Sequence, residues 1–287
     1  MKFSLILPTL NRCNFIKECL DSLVEQKYKN FEVIIIDQSY DELTKSLVED
    51  YKGILNIIYK KVSFKGLSKA RNVGIKLSNG SYIVLLDDDA RYSKDYLEEA
   101  NKIIDKNINE KIILSGKIID DSIDEEFVKY GNVKNEQVLN KKNIFKVCLS
   151  AALIIDKKDI MQVGGFDERL GVGAFFGSAE ESDLIFNLID YGYKIIYSSK
   201  MIVYHLKPKD TYDYSFIKKK YSYALGLGAF FKKHIVYRKN KELIPLYIRN
   251  LVVPTIKIFL NINNRGEVKK NKNVLKGHIK GFIMFKE

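Results

Sequence analysis

The sequence predicts an α/β protein built on a doubly wound, mostly parallel sheet with a helical extension at its carboxyl end. Apolar runs of strand length alternate with amphipathic segments of helix length over about the first ninety of the 287 residues. This order is typical of strand–helix–strand units with right-handed crossovers. Several apolar runs also end abruptly on an acid, as buried strands do when their carboxyl ends reach a ligand-binding edge.

Hydrophobic periodicity predicts the elements of the first half. The predicted strands are 3–7, 31–36, 54–60 and 82–86, and the predicted helices are 13–26, 40–51 and 66–78. One face of the first helix is apolar, with Phe15, Cys19, Leu20, Leu23 and Val24. The pair Asn79-Gly80 predicts the end of the third helix.

The second half continues the alternation less regularly. We expect a helix at 92–106, strands at 111–119, 148–156, 194–197 and 201–205, and a short helix ending at 163. The polar segment 120–142 has weak periodicity and is interpreted as an insertion or mobile loop. A glycine-rich stretch, 171–179, leads into a helix that begins with the acidic residues 180–183.

The stretch 80–90, GSYIVLLDDDA, joins the fourth strand to three consecutive carboxylates. Five side chains suited to a buried strand run directly into Asp87, Asp88 and Asp89. Hard oxygen ligands on a short loop suit magnesium or manganese, which share their remaining positions with substrate phosphates. A solvated acidic turn, or the N-cap of the following helix, is the alternative interpretation.

Positive charge is concentrated at the carboxyl end, although the whole chain has a formal charge of +12. Residues 1–199 hold 28 Lys and Arg against 31 Asp and Glu, a net charge of −3, whereas residues 200–287 hold 20 against 5, a net charge of +15. Such a tail suits nucleic acid, anionic lipid or an anionic substrate.

Cysteine usage indicates a reducing compartment, because Cys13, Cys19 and Cys148 are odd in number and lack metal-ligand spacing. The amino-terminal run MKFSLILPTLNR has no signal-peptide cleavage pattern, so it is interpreted as the first strand. We therefore expect a cytoplasmic protein.

The stretch 243–262 is long and apolar enough to span a bilayer, but Arg249, Asn250 and Lys257 interrupt it and it holds Pro245 and Pro254. Charges at such positions argue against spanning. A segment lying on an anionic membrane surface fits better, because the basic run 265–280 follows it. A carboxyl-terminal helical pair packed on the domain is the alternative.

Six segments occur in the order and spacing of one family. They are LPTLNR at 7–12, VIIIDQS at 33–39, GLSKARNVGI at 66–75, YIVLLDDDA at 82–90, GGFDERL at 164–170 and GSAEESDLIFNLIDYGYKI at 177–195. Over about the first 205 residues the chain resembles the family 2 inverting glycosyltransferases with the glycosyltransferase A fold, of the bacterial surface-polysaccharide type. The resemblance implies a nucleotide-sugar-binding catalytic domain, which we place at 1–210, and from its charge and pattern we expect 211–287 to be a basic helical extension.

The reaction implied by the resemblance moves a sugar from a nucleotide-diphosphate sugar to an acceptor hydroxyl, with inversion at the anomeric carbon. Residues that match the family's donor-binding positions are Pro8, Thr9, Asn11, Arg12, Asp37, Arg71, Asn72, Asp87 and Asp88. Among them, Asp37 matches the acid that accepts a hydrogen bond from the base. A buried arginine must be paired, and for Arg71 a diphosphate and a structural carboxylate both remain open.

A divalent cation is implied because negative charge accumulates on the leaving diphosphate and carboxylate-bound metal stabilises it. By resemblance the metal is manganese or magnesium, and its ligands are Asp89, Asp87 and His205. Asp89 is the expected direct ligand, and Asp87 is expected nearer the ribose or the waters of the metal. A structural role for His205 is the alternative.

The acceptor hydroxyl must also lose a proton to a positioned base. Residues 180–183 match the family's Glu-Asp motif, whose second acid is commonly the base, and this position is Glu181, a Glu where Asp is commonest. Glu180 and Asp183 share a helical face, and Glu181 points about 100° away. We expect Asp183 to orient the loop or bind the acceptor; Glu180 is the third catalytic candidate. Acids also favour helix N-termini for purely electrostatic reasons.

The resemblance implies a sugar or lipid-linked glycan as acceptor and a peripheral position at the inner face of the cell membrane. A nucleic-acid-binding protein would use the basic residues 207–280, but no stacking platform or known motif is present there, and we expect no nucleic-acid partner. A nucleotidyltransferase usually has a glycine-rich phosphate loop near its amino terminus, and this chain has no glycine before Gly53.

Overall fold

A computed structural model describes residues 2–123, 125–126, 137–139, 150–206 and 211–287. The chain forms two compact units. The first, called the sheet unit, comprises Met1–Lys65, Lys69–Phe166 and Leu184–Lys207. The second, called the helical unit, comprises Gly66–Ser68, Asp167–Asp183 and Pro208–Glu287. Residues 167–183 thus group with the carboxyl-terminal helices, although they precede the last strand of the sheet.

The described part of the sheet unit contains one sheet of ten strands. In chain order they are β1 (Phe3–Thr9), β2 (Phe31–Asp37), β3 (Ile57–Lys61), β4 (Tyr82–Leu85), β5 (Ala90–Tyr92), β6 (Ile112–Asp120), β7 (Glu125–Glu126), β8 (Gln137–Leu139), β9 (Leu153–Asp156) and β10 (Lys194–His205). Within the described residues, six helices accompany them: α1 (Cys13–Val24), α2 (Leu43–Glu49), α3 (Leu67–Leu77), α4 (Tyr96–Lys106), α5 (Lys157–Gln162) and α6 (Glu180–Asp190).

The strand order is β3-β2-β1-β4-β9-β6-β10-β5, with β7 beside β6 and β8 beside β10. Strands β3, β2, β1 and β4 are parallel, and so are β6 and β10. Strand β9 lies antiparallel between β4 and β6. Every residue of β1 and β2 is buried, as expected for parallel strands covered on both faces. The predicted fold class is confirmed.

Helix α1 packs on the core through Ile16, Cys19, Leu20 and Leu23. The assignment of Phe15 to this buried face is wrong, because its side chain is 43% exposed. Its ring instead lies under the Arg12 guanidinium, with 4.7 Å between the guanidinium carbon and the ring centroid.

The predicted element boundaries differ from the structure in the second half. The two strands predicted at 194–197 and 201–205 are a single strand, β10, whose register shifts between Ser198 and Ile202. The helix predicted from residue 92 begins at Tyr96, because Ala90–Tyr92 form β5 and pair antiparallel with β10.

Two further predictions fall partly outside the described residues. The strand predicted at 148–156 begins at Leu153, after a 3-10 turn at Ser150–Ala152, and residues 148–149 lie outside the described ranges. Of the insertion predicted at 120–142, the structure describes residues up to 123 and the two short strands β7 and β8, which pair with β6 and β10.

The helical unit contains three long helices: α7 (Tyr214–Lys232), α8 (Ile244–Leu260) and α9 (Arg265–Met284). A π-helical turn, Lys233–Tyr237, continues α7. Asp213 caps α7 by accepting a hydrogen bond from the Phe216 amide at 2.8 Å, and Asn264 caps α9 by accepting one from the Glu267 amide at 3.1 Å. Such caps satisfy amides that have no partner inside the helix.

Glycines bring α7 and α9 into backbone contact. A Cβ atom on Gly281 would lie 2.0 Å from the Leu225 carbonyl oxygen, and one on Gly228 would lie 2.3 Å from the His278 carbonyl oxygen. Neither helix could move closer, and neither position could carry a larger side chain without a backbone shift.

Helix α8 presents an apolar face to solvent. Ile248, Val252, Ile256, Phe259 and Leu260 are all exposed, the last two by 71% and 78%. By length and composition alone, Lys241–Leu260 could cross a membrane, with a mean hydropathy of 1.5 and 11% of that stretch buried. Arg249 and Lys257, both exposed, interrupt the apolar face.

Candidate active site

The carboxyl ends of β1, β2 and β4 meet at one edge of the sheet. Thr9 is paired with Asp37 in the register of β1 and β2, and Ile6 is paired with Leu85 in the register of β1 and β4. Pro8 is buried next to the end of β1. The loops that follow these strands therefore begin side by side, where ligands bind in open α/β sheets.

The loop after β1 places Arg12 against the acids that follow β4. Its Nη1 lies 2.9 Å from Asp88 Oδ1, and its Nη2 pairs with Asp89 Oδ2. Thr9 Oγ1 donates to Asp88 Oδ2 at 2.8 Å. Four of the predicted site residues are thus linked directly.

Asp87 and Asp89 have further partners of their own. Arg71 Nη2 lies 3.3 Å from Asp87 Oδ1, and Ser150 Oγ lies 3.3 Å from both oxygens of the same carboxylate. Asp89 Oδ1 lies 3.1 Å from His205 Nε2. Strand β10 ends at His205, so the structure joins the end of a remote strand to the loop after β4.

Neighbouring carboxylates of this loop differ in pKa. Burial raises the pKa of Asp88 to about 6, although Arg12 and the Thr9 hydroxyl oppose the shift. Burial also acts to raise the pKa of Asp89, but the hydrogen bonds and charges of His205 and Arg12 outweigh it and lower that pKa. In return, Asp89 raises the pKa of His205 against the effect of burial. Asp89 is therefore ionised, between the Arg12 guanidinium and the His205 imidazole.

The donor set partly fits the divalent cation that the resemblance implies. A carboxylate oxygen of Asp89 and an imidazole nitrogen of His205 already converge; the carboxylate suits magnesium or manganese, and imidazole is a common metal ligand. No group of three or more acid, His or Cys side chains close enough to hold a metal is found within the described part of the chain. The third predicted ligand, Asp87, faces Arg71 and Ser150 instead.

Asp37 is fully buried at the end of β2. Its Oδ1 accepts from the Ser39 amide at 2.8 Å, and its Oδ2 accepts from the Tyr59 hydroxyl at 2.7 Å. Asn11 adopts a left-handed conformation, φ 55°, and its amide donates to Ser39 Oγ at 2.8 Å. The loops after β1 and β2 are thereby tied together around the predicted base-reading acid.

Helix α3 places Arg71 and Asn72 in different environments. Arg71 is fully buried, near Asp87 and over the Phe166 ring, so a carboxylate is its partner in this structure. The side-chain amide of Asn72 forms two hydrogen bonds with the backbone of Phe166. It donates to the Phe166 carbonyl and accepts from the Phe166 amide, both at 2.9 Å. This bonding fixes the Gly164-Gly165 turn, where a Cβ atom on Gly165 would lie 2.8 Å from Asn72 Oδ1.

Residues Glu180–Asp183, the acidic helix start, form the first turn of α6 and belong to the helical unit. Glu180 and Asp183 are buried, whereas Glu181 is partly exposed. This difference agrees with the predicted helical faces. The turn follows Ala179, which is left-handed with φ 73°, an uncommon conformation for a residue with a Cβ atom.

Two functional candidates were not predicted from the sequence. Lys233 Nζ lies 2.8 Å from Asp183 Oδ2, and His234 Nε2 lies 2.8 Å from Asp183 Oδ1. These residues stand 50 and 51 positions away in the chain, outside every motif of the resemblance. The sequence offered one indirect signal. A buried aspartate in a helix must be paired with a cationic group, but this rule does not identify the partner.

The sequence profile of glycosyl transferase family 2 matches residues 4–164. The chain belongs to this family. The predicted membership is confirmed, and the site described above is therefore the candidate active site of a family 2 glycosyltransferase.

Several curated glycosyltransferases of this kind are similar to parts of the chain. The poly(ribitol-phosphate) β-N-acetylglucosaminyltransferase TarS of Staphylococcus aureus strain Mu50 is 32% identical over 118 residues, 40% of this chain and 21% of TarS. The amylovoran biosynthesis glycosyltransferase AmsB of Erwinia amylovora is 36% identical over 113 residues, 37% of this chain and 36% of AmsB.

The minor teichoic acid biosynthesis protein GgaB of Bacillus subtilis strain 168 is similar over most of the chain. The two are 26% identical over 284 residues, which is 94% of this family 2 chain and 30% of GgaB. The chain spans between about a fifth and about a third of the length of TarS, AmsB and GgaB.

Solved structures of other glycosyltransferases share the fold. Residues 1–349 of S. aureus TarS superpose with a TM-score of 0.61 at 24% identity, covering 98% of this chain and 92% of that one. The same part of TarS in complex with UDP-GlcNAc gives 0.59 at 22% identity, with the same coverage. The mannosyltransferase PcManGT of Pyrobaculum calidifontis, with GDP-Man and Mn²⁺, gives 0.60 at 20% identity, covering 82% and 64%. These likenesses establish the glycosyltransferase fold of the family 2 chain.

Proposed function

We propose that this chain transfers a sugar from a nucleoside-diphosphate sugar to a hydroxyl of a cell-surface glycan, with inversion at the anomeric carbon. The observation that carries the proposal is the edge of the sheet where Arg12, Asp88, Asp89 and His205 are joined by hydrogen bonds and ion pairs. Such an edge is the usual ligand site of an open α/β sheet.

In this proposal the donor's nucleoside lies along the loops after β1 and β2. Pro8, Thr9 and Asn11 line it, and Asp37 accepts a hydrogen bond from the base. Arg12 and Arg71 contribute positive charge for the diphosphate, while Asn72 holds the turn after α5 in place through Phe166. Cationic groups at this position stabilise charge that develops as the diphosphate leaves.

Asp89 and His205 would hold the divalent cation, with Asp87 binding through its waters or contacting the ribose. A bound manganese or magnesium ion supplies Lewis-acid stabilisation of the leaving diphosphate. The carboxylate–imidazole pair at 3.1 Å supports this assignment.

The base in the proposal is Glu181, the partly exposed acid of the acidic helix start. The acceptor oxygen bonds to the anomeric carbon, and its proton passes to the Glu181 carboxylate. The bond between that carbon and the diphosphate oxygen breaks, and its electron pair leaves with the diphosphate. Asp183 orients the turn that carries Glu181.

The names of similar proteins support the classes of donor and acceptor. TarS is a poly(ribitol-phosphate) β-N-acetylglucosaminyltransferase and has been crystallised with UDP-GlcNAc, and GgaB belongs to minor teichoic acid biosynthesis. We therefore propose a UDP-sugar as the first donor to test and a polyol-phosphate or sugar polymer, free or lipid-linked, as the acceptor.

We further propose that the helical unit holds the enzyme at the cytoplasmic face of the membrane. Helix α8 exposes an apolar face, and α9 carries exposed Lys269, Lys272, Lys276 and Lys280. Apolar area together with clustered lysines favours binding to anionic lipid.

A thermal-shift screen of nucleoside diphosphates and nucleotide sugars, with and without MnCl₂, tests the proposed function. A ligand at a hundred times its Kd should stabilise the folded protein by about 2.7 kcal/mol. Sugar transfer from the selected donor should then release the matching diphosphate. If no nucleotide raises the melting temperature, while the protein binds DNA with strong salt dependence, the basic tail serves nucleic acid and the proposal is wrong.

A further inference from the structure

A buried charge network in the helical unit is centred on Asp183, whose side chain is 1% exposed. Both oxygens of this carboxylate are held: Oδ2 by Lys233 Nζ at 2.8 Å and Oδ1 by His234 Nε2 at 2.8 Å. Lys233 is 7% exposed and His234 is fully buried. Two consecutive residues therefore contact the same carboxylate, and this carboxylate is shielded from water.

Lys233 and His234 begin a π-helical turn. Consecutive residues of an α-helix point about 100° apart. Here the Arg238 amide donates to the Lys233 carbonyl at 3.0 Å, a bond one residue longer than in an α-helix. Such widened turns are rare and recur at functional sites.

A second carboxylate anchors Lys233 from the other side. Lys233 Nζ lies 2.9 Å from Asp167 Oδ2, and Arg169 donates to Asp167 through Nε at 2.9 Å and Nη2 at 2.7 Å. Burial acts to raise the pKa of Asp167, but these hydrogen bonds outweigh it and lower that pKa. Arg169 also donates to the Lys286 carbonyl at 2.7 Å and lies 4.5 Å from the Phe285 ring centroid.

The backbone at the acidic helix start is constrained as well. Ala179, with φ 73°, accepts a hydrogen bond from the Asp183 amide at 2.9 Å. A Cβ atom on Gly171 would lie 3.1 Å from the Glu180 carboxyl carbon, so a glycine there leaves room for Glu180. Left-handed backbone at an alanine costs free energy and persists when its surroundings hold it.

We infer that Lys233 and His234 are positioning residues for the acidic helix start. They fix the Asp183 carboxylate, and Asp183 fixes the helical turn that carries Glu181 two residues earlier. This inference rests on the proposed function, because it takes Glu181 as the base. It assigns a task in catalysis to two residues of the carboxyl-terminal helices, which lie outside every motif of the family resemblance.

The magnitude of the effect follows from the geometry that proton transfer needs. Displacement of a catalytic group by about 1 Å can lower turnover by about a hundredfold, while donor binding is unaffected. Loss of one partner of a buried ion pair frees the other to reorient. Removal of the Lys233 ammonium should therefore lower kcat without changing nucleotide affinity.

The test compares Lys233→Met, which keeps the apolar stem, with Lys218→Met, an exposed position on α7, in the full-length protein. UDP-GlcNAc with MnCl₂ is the first donor probe, and release of UDP and calorimetric binding of UDP are measured. We expect Lys233→Met to lower kcat at least about tenfold with UDP affinity within about twofold. Lys218→Met should match the wild type. A wild type that transfers sugar from none of the screened nucleotide sugars contradicts the proposed function, whereas an active wild type with an equally active Lys233→Met variant contradicts this inference.

A double variant, Asp183→Asn/Lys233→Met, separates positioning from simple stabilisation. It removes both buried charges of the pair, so the melting temperature should rise above that of Lys233→Met. A positioning role predicts that kcat stays low although stability returns. Recovery of kcat together with stability would overturn the inference. If Lys233→Met does not fold, the double variant and His234→Gln are measured in its place, with the same expectation of low kcat at unchanged UDP affinity.

Discussion

Asp87, Asp88 and Asp89 are adjacent in sequence, yet each has different partners. Asp88 is buried between Arg12 and the Thr9 hydroxyl, Asp89 is shared by Arg12 and His205, and Asp87 faces Arg71. Because consecutive side chains project in different directions, one loop can present three carboxylates to three surroundings. The proposed metal ligand is therefore the acid whose partners include an imidazole.

We predict that Asp89→Asn weakens metal-dependent nucleotide binding without unfolding the protein. Loss of a ligand should weaken UDP binding in MnCl₂ by about tenfold or more. The control is Asp105→Asn, which removes an exposed carboxylate paired with Lys2 at 2.9 Å. Calorimetry with UDP, in MnCl₂ and in EDTA, measures the effect. Equal affinity of the wild type in both buffers would rule out the metal assignment.

We predict that Glu181→Gln lowers kcat by roughly a hundredfold or more, because it keeps the shape and removes the proton acceptor. UDP affinity should stay near that of the wild type, and Glu242→Gln, at an exposed position, is the control. Transfer kinetics beside UDP calorimetry separate the two quantities. Normal turnover of Glu181→Gln with a dead Asp183→Asn variant would make Asp183 the base, despite its two occupied oxygens.

Helices α7 and α9 form an element pair whose contact depends on glycine. The Gly281 and Gly228 positions meet carbonyl oxygens of the facing helix, and backbone cannot rotate away as a side chain can. Helix α9 also ends next to Phe285, which is buried against Phe176 with ring centroids 5.5 Å apart.

We predict that Gly281→Ala destabilises the protein although alanine is the better helix former. The new methyl group would meet the Leu225 carbonyl oxygen at 2.0 Å. Overpacking of this kind costs about 1–3 kcal/mol, against a gain in helix propensity of about 1 kcal/mol. Urea unfolding measures the difference. Lys276→Ala, on the exposed face of the same helix, should leave the free energy of unfolding unchanged within about 0.5 kcal/mol.

His278, also on α9, makes stability depend on pH. Burial lowers its pKa from 6.5 to about 4. Between these values the unfolded chain binds a proton that the folded chain does not, so stability falls as the pH falls through that window. At pH 5 the wild type should have lost about 2 kcal/mol of unfolding free energy through this group. Urea unfolding at pH 7.5 and pH 5 should show a smaller loss for His278→Gln; an equal loss would contradict the assignment.

Element-level prediction succeeded where the signal was local. The ends of β2 and β4 were predicted to within one residue, because an apolar run stops at Asp37 or Asp87. The end of β1 was predicted before Pro8, but the strand continues to Thr9. The partner of Arg71 was not predictable, because a buried guanidinium indicates that an anion lies nearby but does not identify it. Lys233 and His234 gave no periodic signal, because Lys233 pairs with a carboxylate 50 residues away. The contact of α7 with α9 likewise depends on a distant facing helix.

At the scale of the whole molecule, charge is unevenly distributed. Residues 211–287 hold 17 Lys and Arg against 4 Asp and Glu. Lys269, Lys272, Lys276 and Lys280 recur on α9 at helical spacing, and within the described residues none of them forms an ion pair. Unneutralised charge of this kind attracts anionic surfaces, and salt screens it.

We predict that the full-length protein sediments with phosphatidylglycerol-containing vesicles and not with phosphatidylcholine vesicles. Removing two lysines, in Lys272→Ala/Lys276→Ala, should weaken the partition roughly thirtyfold, at about 1 kcal/mol per lysine. Phe259→Ser should also weaken it, since that side chain is 71% exposed on α8. The control, Ile108→Ser, alters a residue of the sheet unit that is 74% exposed. Membrane docking is contradicted if both helical-unit variants bind the vesicles as well as the wild type does. It is also contradicted if 0.5 M NaCl does not weaken the binding of the wild type.

If Asp37 binds the base, as proposed, its hydrogen bonds restrict which nucleobase the molecule can read. One oxygen accepts a hydrogen bond from the Ser39 amide and the other accepts one from the Tyr59 hydroxyl, so the carboxylate is an acceptor held in a fixed orientation. A base read by this group must offer an N–H at its pairing edge, as uracil does at N3 and guanine at N1. Cytosine and adenine present lone pairs at those ring atoms and can donate only through their exocyclic amino groups, which lie one position further along the edge. Uridine and guanosine diphosphates should therefore compete for the site at concentrations where cytidine and adenosine diphosphates do not.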